Sequence, residues 1–332
     1  MNKPQNKNPT TEIIAVKGDE LAVLDGYLPA LIERANENAR FRFLEFFTAH
    51  IRNRGTRAAY ARAVCRFFHW CELRGVELTN ISPLTVAAYI EGLTATLSAA
   101  TVKLHLAAIR MLFDFLVIGQ VVPVNPASSV RGPKHVVRKG KTPVLTPGEA
   151  RQLLDNINID SISGLRDRAL IGVLVYSFAR VSATTGMNVS DYFPQGRRMW
   201  FRLHEKGGKH HEVPAHHNAE DYVDAYIAAS NINDQANKPL FRTVDCCRQL
   251  TDRRMLRGDV LRMIKRRAKV AGIKTRVCCH TFRATGITAY LQNGGSIEHA
   301  QKVAAHNSIR TTKLYDRTSD ALSLDEIEKI QI

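Results

Sequence analysis

The sequence predicts a mainly α protein in two parts. An N-terminal helical bundle comes first, then an α-rich domain carrying a small antiparallel β-sheet. Three observations predict it. Apolar residues recur at helical spacing between Phe41 and Val121. Closely spaced prolines and a basic run then interrupt that pattern. Further on, Arg198 to His204 alternates with the period of a half-buried strand. A length of 332 residues is enough for two domains with their own cores.

Residues 1–27 are polar, lysine-bearing and without periodicity, and are expected to form a mobile arm. Leu28 to Ile32 begins a short helix. Phe43, Phe46 and Phe47, then Tyr60, Val64, Phe67, Phe68 and Cys71, mark the inner faces of the next helices. Ser82-Pro83 opens another, because proline is tolerated at the first helical position. Ser98 caps a helix that turns Val102, Leu106, Ile109, Phe113 and Leu116 inward, leaving Lys103 and Arg110 outside. This first domain is expected over residues 28–130.

Pro123 and Pro126 end the helical region. Residues 131–143, from Arg131 to Pro143, hold Lys134, Arg138, Lys139 and Lys141 among too few apolar residues to form an element. They read as a basic linker, and Pro133 to Pro143 could reach roughly 36 Å when extended. The second domain is expected over 144–318. Thr146-Pro147-Gly148-Glu149 is a capping box. Leu165 to Phe178 is apolar enough to be a buried helix. Arg198 to His204 and His210 to Val213, split by Gly207-Gly208, form a hairpin. The chain after Val260 reads helical, with a tail helix at 319–332.

Lys and Arg number 47 against 31 Asp and Glu, giving a net charge of +16. A polyanion is therefore the first expected partner. No apolar run of about 18 residues exists to span a bilayer, and the N-terminus lacks a signal-peptide core. These observations point to a cytoplasmic, nucleoid-associated protein. Six cysteines include the adjacent pairs Cys246-Cys247 and Cys278-Cys279, which do not fit the spacing of a zinc site. No carboxylate cluster suits a metal ion, and neither metal nor cofactor is expected.

The chemistry concentrates in the last third. His280-Thr281-Phe282-Arg283 places a histidine and an arginine on one helix face. His306 and Tyr315 follow, nine residues apart. On one continuous helix they would point to opposite sides. Asn307-Ser308 supplies a break and a cap, so each can ride its own element and face one phosphate. Guanidiniums grip the non-bridging oxygens of a phosphodiester bidentately. Tyrosine, with an ordinary pKa near 10, is only about 0.1% ionised at pH 7 and needs a base or positive potential to attack.

With these residues in hand, the chain resembles the tyrosine recombinase (phage integrase) family. The order H-x-x-R, then a histidine, then a tyrosine nine residues later stands here as His280, Arg283, His306 and Tyr315. Ser177-Phe178-Ala179-Arg180-Val181-Ser182-Ala183 resembles the family's first box, and Glu205-Lys206-Gly207-Gly208-Lys209 its hairpin lysine. The likeness covers about residues 40–318, the first domain matching a SAM-like core-binding domain in pattern.

The resemblance implies site-specific recombination through a 3′-phosphotyrosyl intermediate, without metal or ATP, for integration, excision or resolution. It assigns Arg180 and Arg283 to clamp the phosphate, and Lys206, ahead of Lys209, to protonate the 5′-oxygen. His280 would accept a proton or serve as a hydrogen-bond partner, His306 would bond the phosphate, and Tyr315 would attack. Two positions depart from the family. Ala183 stands where an acidic residue is common, and Ala305 replaces the glycine before the second histidine.

Double-stranded DNA is the partner this implies, held by a homo-tetramer that self-associates weakly without DNA, with an accessory DNA-binding protein as a further candidate. The DNA-facing candidates are Arg57, Lys103, Arg110, Lys134, Arg138, Lys139, Lys141, Lys209, Arg262, Arg266 and Lys269. The amphipathic tail is a candidate for docking on a neighbouring copy. Two rival readings stay open on sequence alone: relaxation of DNA in the manner of a type IB topoisomerase, and a DNA-binding regulator without catalysis.

Overall fold

The computed structural model describes residues 28–137, 140–205 and 210–316. The expected arm over 1–27, the tail over 319–332, and Arg138, Lys139, Lys206 and Lys209 lie outside the described residues. Two compact units meet between Val136 and Val137.

Side-chain caps write the helix starts of the first unit. Asn36, Asn53, Ser82 and Ser98 each accept the backbone N–H three residues on. After α1 (Ala30–Glu33), they open α2 (Glu37–Glu45), α3 (Arg54–Glu72), α4 (Pro83–Thr94) and α5 (Ala99–Ile118). The expected helices are all present. An unexpected single π-turn at Phe46–His50 follows α2. Phe46 and Phe47 within it are both buried. Phe43, Phe67, Phe68 and Phe113 complete the aromatic centre. Tyr89 and His105 are buried together and bond each other at 3.0 Å.

Two arginines of this unit differ from expectation. Arg57 is buried, and its guanidinium donates to the carbonyls of Ile51 and Thr48, at the end of the π-turn. Arg110 donates to the carbonyls of Ala127 and Val130. Both were expected to face DNA. Instead they satisfy backbone acceptors at irregular turns, which otherwise carry a desolvation cost. Lys103 and Lys134 are exposed as expected.

In the second unit, Thr146 and Glu149 form the expected capping box at α6 (Pro147–Asp155). Helix α7 (Ile162–Tyr176) is buried along most of its length. A three-stranded antiparallel sheet follows, in the order β1 (Tyr192–Gln195), β2 (Arg198–His204), β3 (His210–Pro214). The expected hairpin is its β2–β3 half, with Phe201 opposite Val213 and both buried. The chain continues through α9 (His217–Ser230). A second hairpin, β4 (Arg242–Val244) with β5 (Leu250–Arg254), was not expected. Its strands are short and charged, and its turn, Asp245-Cys246-Cys247-Arg248, lacks the usual glycine. Arg248 itself takes the left-handed φ of 63°.

Helices α10 (Arg257–Val270), α11 (Cys279–Gln292), α12 (Ile297–Val303) and α13 (Ile309–Lys313) complete the unit. Asp167, fully buried on α7, receives Arg166, Arg266 and Arg267 and so ties α7 to α10. Arg266, expected at DNA, shares that carboxylate while staying exposed. Gly286 marks where α11 crosses the end of α7. A Cβ there would meet the Val175 carbonyl at 2.0 Å. Among the described residues, no helix is long and apolar enough to cross a membrane.

Candidate active site

Three pieces of the second unit converge. The first is the turn between α7 and α8 (Val181–Gly186). Phe178 adopts a left-handed φ of 52° there, uncommon for a bulky residue. That conformation aims its carbonyl at Arg283, which donates to it through Nη1. Two residues on, Arg180 stands at the N-terminus of α8.

The second piece is the first turn of α11. His280 and Arg283 lie one helical turn apart, as their spacing predicts. Arg283 is buried, with 1% exposure, and its Nη2 donates to the Ala304 carbonyl at 2.6 Å. Its Nε is buried without a partner among the described residues. Such a donor carries a desolvation cost that an anion would relieve. Burial and the neighbouring Arg180 push the Arg283 pKa down to about 10, while Tyr315 and Glu205 oppose that shift.

The third piece is the chain from Ala304 to Tyr315. Ala305 takes a left-handed φ of 47° just after α12 and swings His306 inward. Ser308 caps α13, as the sequence suggested, but Tyr315 sits two residues beyond that helix rather than on it. The Tyr315 carbonyl accepts from Thr288 on α11 at 2.8 Å. The result is a close meeting of rings. His280 Nε2 lies 2.5 Å from the Tyr315 hydroxyl. The His306 ring stacks on the Tyr315 ring at 5.6 Å, with planes 10° apart. His306 Nδ1 bonds the Thr312 hydroxyl at 2.9 Å.

Burial, and then the neighbouring guanidiniums, favour the neutral form of both imidazoles. Burial lowers the His280 pKa, and Arg283, Arg180 and Arg257 lower it further. His306 is pushed down to about 3, first by burial, then by Arg283 and Arg180. A neutral His280 can accept a proton from the hydroxyl it touches. Across the site, Arg180 is ion-paired through Nη1 with Glu205, at the end of β2. The hairpin carrying Glu205 is itself anchored by His211, whose Nε2 bonds the Val303 carbonyl at 2.9 Å.

Arg180, His280, Arg283, His306 and Tyr315 are thus brought into one neighbourhood from positions 135 residues apart in sequence. Lys206 directly follows Glu205 in the chain but lies outside the described residues. Sequence reasoning missed Thr312 and Thr288, whose hydroxyls fix His306 and Tyr315, and gave Glu205 no role of its own. Thr312 stands three residues before the tyrosine, which is the local signal that marks it. Among the described residues, no three His, Cys, Asp or Glu side chains converge as a metal-holding group. All six cysteines are free thiols. Of the remaining candidates for DNA contact, Lys141, Arg262 and Lys269 are exposed.

Residues 143–321 match the model of the phage integrase family, and residues 42–119 match the phage integrase N-terminal SAM-like domain. Tyrosine recombinase XerD of Mycobacterium leprae is 28% identical over 274 residues, covering 78% of this chain and 85% of the relative. Tyrosine recombinase XerC of Chlamydia muridarum is 28% identical over 235 residues, covering 69% and 70%. Among solved structures, XerH site-specific recombinase in a post-cleavage complex with its difH substrate aligns with a TM-score of 0.68. It is 17% identical, with 91% of this chain and 90% of that chain covered. The lambda integrase tetramer bound to a Holliday junction aligns at 0.62 and 17% identity, covering 96% and 85%. The chain belongs to the phage integrase family of tyrosine recombinases, enzymes that cleave and rejoin DNA.

Proposed function

We propose that Tyr315 is the nucleophile of this recombinase and joins itself to the 3′ end of a cleaved DNA strand. The observation that carries this reading is the 2.5 Å contact between His280 Nε2 and the Tyr315 hydroxyl, beside the buried Arg283. The hydroxyl proton passes to the neutral His280. The tyrosine oxygen forms a bond to phosphorus, and the bond from phosphorus to the 5′-oxygen breaks. Arg180 and Arg283 grip the non-bridging oxygens, where charge builds in the transition state. His306 donates through Nε2 to one of the same oxygens. Lys206 gives a proton to the departing 5′-oxygen. A 5′-hydroxyl from a second strand then attacks phosphorus, releases Tyr315 and completes the exchange. The phosphotyrosyl bond conserves the energy of the broken one.

Residues 144–318 perform this chemistry in the proposal, residues 28–130 grip the duplex, and residues 131–143 link them. The exposed cations Lys103, Lys134, Lys141, Arg262, Arg266 and Lys269 are assigned to phosphates. The duplex is engaged by several copies of the chain, with four in the synaptic complex. Support for that number is the lambda integrase tetramer on a Holliday junction, which shares this fold.

The test uses a nicked suicide duplex drawn from DNA flanking the gene. Tyr315→Phe should bind this DNA with unchanged affinity and form no covalent adduct. An adduct that survives in Tyr315→Phe would assign the nucleophile elsewhere.

A further inference from the structure

The Arg180 ion pair involves a carboxylate that the reaction above does not use. Glu205 closes β2, its side chain is 7% exposed, and it pairs with Arg180 Nη1. The side chain of Arg180 is 37% exposed, so the pair is buried on the carboxylate side and open on the guanidinium side. The first box, Ser177 to Ala183, holds no carboxylate of its own, and Ala183, buried on α8, stands where the resembling family often has an acidic residue. A guanidinium has five donors in a planar fork. One edge held by Glu205 leaves the other edge free and fixed in direction. The neighbouring Arg283 is bound by two carbonyls and needs no such help. Among the described residues, Glu205 is the hydrogen-bond and ion-pair partner of the Arg180 guanidinium, while the Arg180 carbonyl accepts from the Thr184 hydroxyl.

We propose that Glu205 is a positioning residue for Arg180, supplying from the hairpin the carboxylate that Ala183 cannot supply from the first box. The inference rests on the reading of Arg180 as a phosphate clamp. Glu205 directly precedes the proposed acid Lys206 in the chain.

The experiment measures single-turnover adduct formation on the nicked suicide duplex, and DNA affinity by gel shift. The full-length chain is compared with Glu205→Ala, Glu205→Gln, Glu205→Asp and the double variant Glu205→Ala with Ala183→Glu. A misplaced catalytic group costs on the order of 10²-fold in rate. Glu205→Ala and Glu205→Gln are expected to slow adduct formation by about that factor, with affinity within threefold of the parent. Glu205→Asp and the double variant are expected to recover at least tenfold. Recovery by a carboxylate placed on a different element is a result that a merely structural role for Glu205 would not give. Parent-like or faster cleavage by both Glu205→Ala and Glu205→Gln would overturn the inference, as would a double variant with no recovery. Arg180→Ala is run alongside. If it cleaves normally, the clamp reading itself fails. If it is inactive while Glu205→Ala is unimpaired, only the role of Glu205 fails.

Discussion

The Nε2 of His280 stands 2.5 Å from the hydroxyl of Tyr315, and the two come from segments 35 residues apart. A base at that distance can take the hydroxyl proton as the oxygen attacks, help worth about 10²–10⁴-fold. His280→Ala is expected to slow adduct formation by a factor in that range, with DNA affinity unchanged. Because burial and the flanking arginines lower the His280 pKa, its neutral form persists below the ordinary histidine range. The midpoint of the acid limb of the cleavage rate should therefore lie below pH 6.5. An acid limb with its midpoint at pH 7 would contradict the base assignment.

His306 contributes to the pH dependence of stability, in the same direction as His105, His216 and His280, whose pKa values burial also lowers. Its pKa moves from 6.5 to about 3 on folding. Between those values the unfolded chain binds a proton that the folded chain refuses. Stability is then full above pH 6.5 and declines as pH falls toward 3. Thermal melts from pH 7 to pH 4 should show falling midpoints, and His306→Asn should flatten that slope. Identical slopes in the two proteins would exclude His306 as a contributor.

Thr312 is fully buried and holds His306 Nδ1 at 2.9 Å. Replacing it with valine keeps the shape and removes the bond. Thr312→Val should leave DNA binding intact and slow adduct formation about tenfold, since a loosened ring no longer points Nε2 at the phosphate. Parent-like kinetics would show that stacking on Tyr315 suffices to fix the ring.

Asp167 is the fully buried hub of three arginines. Removing one member of such a network leaves an uncompensated charge and costs about 3–5 kcal/mol. Asp167→Ala should lower the urea unfolding midpoint accordingly, Arg166 being 5% exposed and unable to reach water. A loss below about 1 kcal/mol would mean that the arginines find other partners.

Ala305 carries its left-handed φ of 47° with a side chain. That conformation costs a non-glycine residue about 1–2 kcal/mol, part of which glycine's extra freedom in the unfolded state offsets. Ala305→Gly should stabilise the protein by about 0.5–1 kcal/mol in urea melts, with cleavage unchanged. A destabilised variant would show that the Ala305 methyl group contributes packing of its own.

Much of this molecule was legible in one sequence, for identifiable reasons. Caps such as Asn53, Ser82, Ser98 and Thr146 act locally, so their residue types announce them. The β2–β3 hairpin declared itself by alternation around a glycine turn. His280, Arg283, His306 and Tyr315 stood out because their order and spacing resemble the second box of the tyrosine recombinase family. Features decided by tertiary contact stayed hidden. Arg57 and Arg110 have the same composition as a DNA-facing residue, and only the carbonyls left bare by nearby turns draw them inward. The β4–β5 hairpin has charged strands with no apolar face to read. Glu205 gained a purpose only once Arg180, 25 residues away, stood beside it.

The left-handed turn at Phe178 has a consequence for how this protein can change over generations. Its carbonyl holds Arg283, and two peptide bonds later the same turn delivers Arg180. The spacing between the two guanidiniums is thus written into one short piece of backbone. A mutation that relaxes this turn acts on both guanidiniums at once, by moving the start of α8 under Arg180 and by taking one of two carbonyl partners from Arg283, which keeps the Ala304 carbonyl.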